Sequence, residues 1–217
     1  MNSGTLTTLT SALAGDADQS RYSGKYTQAL NLAQQQFALD SQALFKDQSI
    51  TVVGGTATYS LNTDFMFETK VTYKGERLDP ISRMELEKEK VGDDWTDDTG
   101  EPRYYIVDPE EASKTIRPYP YPASGDAGGT MVLRYIPLPT DMSASTDTPL
   151  NSSALLAQFH IGLAAWAAWL LLSYESATDA ILAKRQGLLD MYNDSVSRAS
   201  ETFKNTYSEP FRMRGSR

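Results

Sequence analysis

The side chains in this chain best able to do chemistry are one histidine, an acidic run and two tyrosines. His160 is the only histidine, and it lies inside a long apolar stretch, residues 154–172. A general base needs an orienting partner and a substrate cleft, and the residues around His160 supply neither. We therefore expect a core or interface histidine. The sequence has no cysteine, which excludes thiol nucleophiles, disulfides and thiolate metal sites.

The acidic run, residues 92–101, is rich enough in carboxylates to suggest a calcium ion. Its spacing lacks the alternating oxygen ligands, the glycine at position six and the glutamate at position twelve of an EF-hand loop. The sequence therefore predicts a solvated acidic loop without a bound metal.

Tyr119 and Tyr121 each lie between prolines, so they could stack on a sugar ring. Packing at a sheet edge, where proline is tolerated, is the preferred interpretation. The glycine pairs match neither a phosphate-binding loop nor a dinucleotide fingerprint, and the motifs of serine hydrolases and zinc proteases do not occur. We expect no cofactor and no enzymatic activity.

The elements that would position these residues are helices at both ends of the chain. Leucines at 6, 9 and 13 indicate a short helix ending near Gly15, and an apolar stripe predicts a second helix over 26–44 with glutamines on its flanks. The run 154–172 is nearly long enough to cross a bilayer, but it is rich in alanine and lacks flanking Lys or Arg clusters. It predicts a central helix contacted on all sides. A last helix, 177–203, carries a near-heptad stripe: Leu182, Leu189, Tyr192, Val196 and Phe203.

The middle of the chain changes to the period of β-strands. Residues 50–61 predict a hairpin around Gly54 and Gly55, and residues 65–81 predict strands around a turn at 74–76. A short helix over 83–90 follows, then three strands at 104–107, 115–119 and 130–136, with 125–129 as the hairpin turn between the last two. About six short strands would form a small sandwich or barrel.

Together these patterns predict an α+β fold. Residues 1–48 and 141–207 would form a helical bundle, residues 49–140 a β-rich insert, and residues 208–217 an extended tail. Ordering the tail costs on the order of 10 kcal/mol at ~1 kcal/mol per residue, and burying Phe211 and Met213 returns only ~2 kcal/mol each. We expect it to order only on a partner that pairs its backbone and its arginines. The alternative is a frayed terminus.

Charge is distributed unevenly. The net charge of −8 argues against a general nucleic-acid binder. Residues 79–111 hold twelve acidic and four basic residues, whereas residues 198–217 hold five basic and two acidic ones. Such asymmetry could orient copies of the protein in an assembly. The first residues lack the basic start and apolar run of a signal peptide, so we expect synthesis in the cytoplasm.

The order of these elements resembles that of the tail adaptors, or head-to-tail connectors, of tailed bacteriophages. The resemblance covers about residues 22–192. Its most specific segments are YKGERLDPISRMEL at 73–86 and the pair Tyr-Tyr-Ile-Val and Ile-Arg-Pro-Tyr-Pro. No catalytic signature is involved.

The resemblance implies a ring of copies, typically twelve, docked beneath the portal protein in the neck of a virion assembled in the host cytoplasm. A next neck or tail protein would dock below, and DNA would pass through the lumen as non-specific cargo. The expected portal-binding residues are Phe211, Arg212, Met213, Arg214 and Arg217. The candidate exposed contact loop contains Asp93, Asp94, Trp95, Asp97 and Asp98. A tail terminator, a baseplate component, a carbohydrate-binding module and a hydrolase using His160 remain as alternatives.

Overall fold

The computed structural model of the chain describes residues 1–89, 94–108, 114–125 and 128–207. The chain forms two compact units: residues 1–44 with the described residues from 139 onward, and Phe45–Leu138. The helices are α1 (Ser3–Ala14), α2 (Tyr26–Ser41), α3 (Arg83–Glu89), α4 (His160–Leu172) and α5 (Asp179–Tyr207). The strands are β1 (Lys46–Thr51), β2 (Tyr59–Ser60), β3 (Phe65–Tyr73), β4 (Glu76–Pro80), β5 (Tyr104–Asp108), β6 (Thr115–Tyr119) and β7 (Thr130–Pro137). The predicted α+β class is confirmed.

Local sequence signals place both ends of α1. The side chain of Asn2 accepts a hydrogen bond from the Thr5 amide at 2.9 Å and caps the first turn. Gly15 ends the helix in the left-handed conformation, φ 79°, and its amide bonds back to the last turn. The predicted end near Gly15 is confirmed.

The centre of the first unit is α4, which packs against α1, α2 and α5. Most of its side chains are buried, including Leu163 and Leu171, so the predicted core helix is confirmed. It begins at His160 rather than at 154, because residues 154–159 form turns and a short 3-10 helix. It is not contacted on all sides, since Ile161 is 42% exposed.

Two predictions about the other helices are wrong. The buried face of α5 contains Leu188, Tyr192, Ser195 and Ala199, so of the predicted stripe only Tyr192 is buried, and Leu182 is 48% exposed. On α2, which ends at Ser41 rather than 44, Gln34 is fully buried instead of flanking the apolar stripe. Its side chain accepts from the Leu150 amide at 3.0 Å and donates to the Thr140 carbonyl at 2.9 Å. Gln34 thereby attaches the connector before α4 to α2.

The second unit is built on a seven-stranded sheet in the order β1-β7-β3-β4-β5-β6-β2. The predicted turn between β3 and β4 is confirmed: Lys74 and Gly75 both have positive φ, which two-residue hairpin turns require. Every adjacent pair is antiparallel except β4 with β5, which is parallel.

The structure contradicts two other predicted hairpins. Gly54 and Gly55 lie in a turn, yet β1 pairs with β7 and β2 pairs with β6. Residues 125–129 join β6 to β7, but these strands also pair with different neighbours. Both errors have one cause: a glycine-rich turn shows where a chain reverses, and strand pairing is decided by burial elsewhere in the sheet.

The sheet curls so that its two end strands approach each other. The side chain of Gln48 on β1 donates to the Ser60 carbonyl on β2 at 3.1 Å and accepts from the Asn62 amide at 3.0 Å. A single apolar cluster includes residues of β1, β3, β4, β5, β6 and β7. The sheet thus encloses its core in the manner of a small open barrel.

Candidate functional site: an acidic turn and exposed helix faces

The acidic loop is a compact turn in the part that the structure describes, which begins at Asp94. Asp93 lies outside the described residues. The Asp94 side chain accepts a hydrogen bond from the Thr96 amide at 2.9 Å and caps a short 3-10 turn, Trp95–Asp97. Hydrogen bonds from the Thr96 side chain and backbone lower the pKa of Asp94. Its carboxylate is therefore charged at neutral pH.

Trp95 was expected to be exposed on this loop, and the structure corrects this. Its side chain is buried against Tyr119, with ring centroids 6.1 Å apart in an edge-on arrangement. The guanidinium of Arg117 lies over the indole at 4.8 Å and donates to the Thr96 carbonyl at 2.7 Å. Burial is the main cause that lowers the pKa of Arg117. A large aromatic side chain beside a strand gains more from burial than from hydration, so the turn is held against β6.

The carboxylates of this turn differ in what they can contact. Asp94 and Asp97 are exposed, whereas Asp98 is half-buried and accepts a hydrogen bond from the Tyr119 hydroxyl. Of these three described carboxylates, Asp94 and Asp97 therefore point their charge into solvent, from a turn that Trp95 anchors. Arg117, which fixes this geometry, was missed in the sequence because an arginine within a predicted strand carries no signal of what lies beside it.

The sugar-stacking alternative loses its support at Tyr119. Tyr119 is 7% exposed and packed in an apolar cluster, so its ring face is not available for a sugar. Within residues 1–89, 94–108, 114–125 and 128–207, no group of three or more acidic or histidine side chains is arranged to hold a metal ion.

His160 lies in the core, as predicted. It is 1% exposed, and its Nδ1 atom is 3.1 Å from the N-terminal nitrogen of Met1. An ammonium group can only donate, so Nδ1 accepts this hydrogen bond and the ring is neutral. Burial, and then the positive charge of the N-terminus, lowers the pKa of His160 to about 4. A base this weak and this inaccessible does not serve a hydrolase.

A buried carboxylate, Asp16, fixes the joint between α1 and α2, and it too was missed in the sequence. Asp16 accepts hydrogen bonds from the Tyr26 hydroxyl and from the amides of Arg21 and Tyr22. Burial opposes ionisation of Asp16, but these hydrogen bonds outweigh it and hold its pKa at about 2. The Tyr22 hydroxyl in turn donates to Glu175 at 2.6 Å. The polar joint is therefore an organised part of the helical unit.

Large apolar side chains are exposed on three helices of the first unit: α2, α4 at Ile161, and α5. Leu32 and Leu39 on α2 are separated by seven residues and share one helix face, 41% and 38% exposed. Leu182 and Met191 are exposed on α5. The expected portal-binding residues, from Phe211 to Arg217, lie outside the described residues. No helix in the described ranges is both long enough and apolar enough to span a bilayer.

The described residues thus present an acidic turn in one unit and exposed apolar side chains on the helices of the other. The chain belongs to the SU10 adaptor protein family, a phage head-to-tail adaptor family, whose sequence model matches residues 1–214. This confirms the family resemblance drawn from the order of elements. No curated protein sequence matches the chain.

Proposed function

We propose that this chain is the head-to-tail adaptor of a phage virion, a ring of twelve copies beneath the portal that joins capsid to tail. The observation that carries the proposal is the family match over residues 1–214. The adaptor ring continues the channel through which DNA leaves the capsid. The chain's net negative charge reduces adhesion of DNA phosphates in transit.

The exposed leucines of the helical unit support the self-association in this proposal. A closed ring uses heterologous contacts, in which one face of each copy meets a different face of the next. Leu32 and Leu39 on α2 provide one apolar face, and Leu182 with the half-buried Leu189, seven residues later on α5, provides a second. Burying the remaining exposed area of each such side chain, about 80 Å² or less, contributes up to about 2 kcal/mol at about 25 cal/mol per Å².

The tail and the acidic turn complete the proposal. Phe211, Arg212, Met213, Arg214 and Arg217 bind the portal, because the arginines need acidic partners and the tail has too little apolar surface to fold by itself. Asp94 and Asp97 face the next neck or tail protein from the turn that Trp95 anchors.

Purified protein mixed with portal rings tests this function by electron microscopy. We expect a second ring on the portal, and none when residues 208–217 are deleted. Far-UV circular dichroism of the truncated chain should match that of the full chain. Attachment to tail tubes in the absence of any portal binding would instead identify a tail terminator.

A further inference from the structure

The sheet of the second unit contains a slot between β3 and β5. Strand β4 lies between these two strands for only part of their length. It pairs with β3 at residues 71–73 and with β5 at Tyr104 and Tyr105. The Ile81 amide still donates to the Tyr105 carbonyl at 3.0 Å, and the chain then turns away into α3.

Beyond this point, in the described ranges of the chain, two strand edges face each other without a strand between them. Within the described part of the chain, residues 65–69 of β3 and 106–108 of β5 have no ladder partner on the sides that face β4 further along. Strands separated by one other strand are about 9–10 Å apart, so the slot is one strand wide. A cavity of about 530 Å³ occupies this place, lined by residues that include Glu68, Ile81, Glu85, Val107 and Asp108.

The side chains around the slot include both apolar and acidic groups. Tyr105 belongs to the main apolar cluster, and Val107 packs against it. Glu68, Glu85 and Asp108 are carboxylates, and Arg83, which forms an ion pair with Asp108, is the basic side chain in the lining of this cavity. Hydrogen bonds from the backbone and hydroxyl of Ser82 lower the pKa of Glu85. The slot therefore suits a short extended segment with apolar and basic residues in alternation.

The chain itself contains such a segment in residues 208–217. Phe211, Arg212, Met213 and Arg214 alternate apolar and basic residues with the period of a β-strand. In an extended conformation Phe211 and Met213 point to one side and the two arginines to the other. Four residues fall between the lengths of the two facing edges, five residues on β3 and three on β5. A strand inserted between two edges also pairs its backbone on both sides, which a strand added at an outer edge cannot do.

We propose that, before the portal is bound, the tail of one copy inserts into this slot of another copy as an added strand. The inference extends the self-association proposed above, since copies held together present tails and slots to each other at high effective concentration. The portal and the slot then hold the same tail at successive stages of assembly.

The sequence has no cysteine, so disulfide trapping tests the contact without background thiols. One chain carries Met213→Cys and a second, larger tagged chain carries Glu68→Cys. The full-length chains are mixed and oxidised, and we expect the mixed disulfide dimer as the main product. The matched control replaces Glu68→Cys with Ser49→Cys, at an exposed position on β1. The control pair should cross-link at least about tenfold more slowly, because random encounters lack the effective concentration of a bound tail.

Two further arms assign the cross-link to the slot. Excess synthetic peptide SEPFRMRGSR should suppress it, and Arg212→Glu with Arg214→Glu should slow it about fivefold or more through lost charge pairs. Equal rates for the Glu68 and Ser49 pairs would overturn the inference. Light scattering and portal binding, measured on the unmodified chain, report the proposed function separately: a ring that binds portals but shows no preferred cross-link refutes the slot alone.

Discussion

The burial of His160 leads to a prediction about stability and pH. As the pH falls from 7 towards 4, a histidine is protonated in the unfolded chain, where its pKa is about 6.5, well before it is protonated in the folded protein, where burial and the N-terminal charge hold its pKa at about 4. The Nε2 atom is buried and has no hydrogen-bond partner among the described residues. Protonation in place would therefore put an unpaired charge in the core.

The magnitude follows from the difference between the two pKa values. A gap from 6.5 to 4 corresponds to about 3 kcal/mol at about 1.4 kcal/mol per pKa unit. Since the folded pKa is the lower one, the unfolded state binds more protons in this window. The free energy of unfolding is thus highest above pH 6.5 and falls as the pH drops through the window, with a slope approaching 1.4 kcal/mol per unit.

Urea unfolding of the wild type and of His160→Gln, followed by far-UV circular dichroism between pH 7 and 4, measures this effect. Carboxylates titrate in both proteins, so the difference between the two curves isolates His160. We expect that the variant is less stable at pH 7 and that the difference shrinks by up to about 3 kcal/mol towards pH 4. His160 is the only histidine, so its ring also gives one assignable NMR titration. A ring that titrates near pH 6.5, with parallel stability curves, would refute the reasoning.

Other substitutions test packing in each unit. Gly162→Ala should destabilise by about 1–3 kcal/mol, because its Cβ would lie 2.6 Å from a side chain of α5, whereas Gly187→Ala, with open space around it, should stabilise by about 0.5–1 kcal/mol. Trp95→Ala should lower stability by about 3 kcal/mol, and Asp97→Asn should change it by less than about 0.5 kcal/mol. Asp16→Asn should destabilise at neutral pH, and the difference from wild type should vanish as the pH falls from 3.8 to about 2.

Thermal and urea unfolding measure the stability changes of the glycine variants, of the Trp95 and Asp97 variants, and of Asp16→Asn. Equal effects at Gly162 and Gly187 would show that α4 and α5 are not in close contact. If Trp95→Ala left the free energy of unfolding unchanged, Trp95 would be exposed on the acidic loop, as the sequence had predicted. Since the folded pKa of Asp16 is depressed, its stabilisation is complete above 3.8 and lost below; a difference that persists at pH 2 would contradict the hydrogen-bonded carboxylate.

Local chemistry made several elements predictable. The reversal at Lys74 and Gly75 is predictable because few residues accept positive φ, and Gly15 marks the end of α1 for the same reason. Strands β5, β6 and β7 follow from β-branched and aromatic alternation bounded by proline and glycine. The adaptor family is also recognisable, because its order of elements can be read along the chain.

The candidate site was predictable only in part. The sequence located an acidic segment near Asp94, but not that Trp95 turns inward onto Tyr119 and Arg117. Nor did it show that Gln34 is buried, since a buried amide depends on backbone partners more than a hundred residues away.

What the sequence by itself determined is where helices, strands and reversals occur, because φ preferences and hydrophobic periods act over a few residues. Only the tertiary structure decided which strands pair, which face of α5 is buried and where the sheet opens between β3 and β5. β1 pairs with β7 across some eighty residues, and not with the nearby β2. Such choices minimise the apolar area that the whole unit exposes to water. That total depends on residues far apart in the chain, so no short window of the sequence determines it.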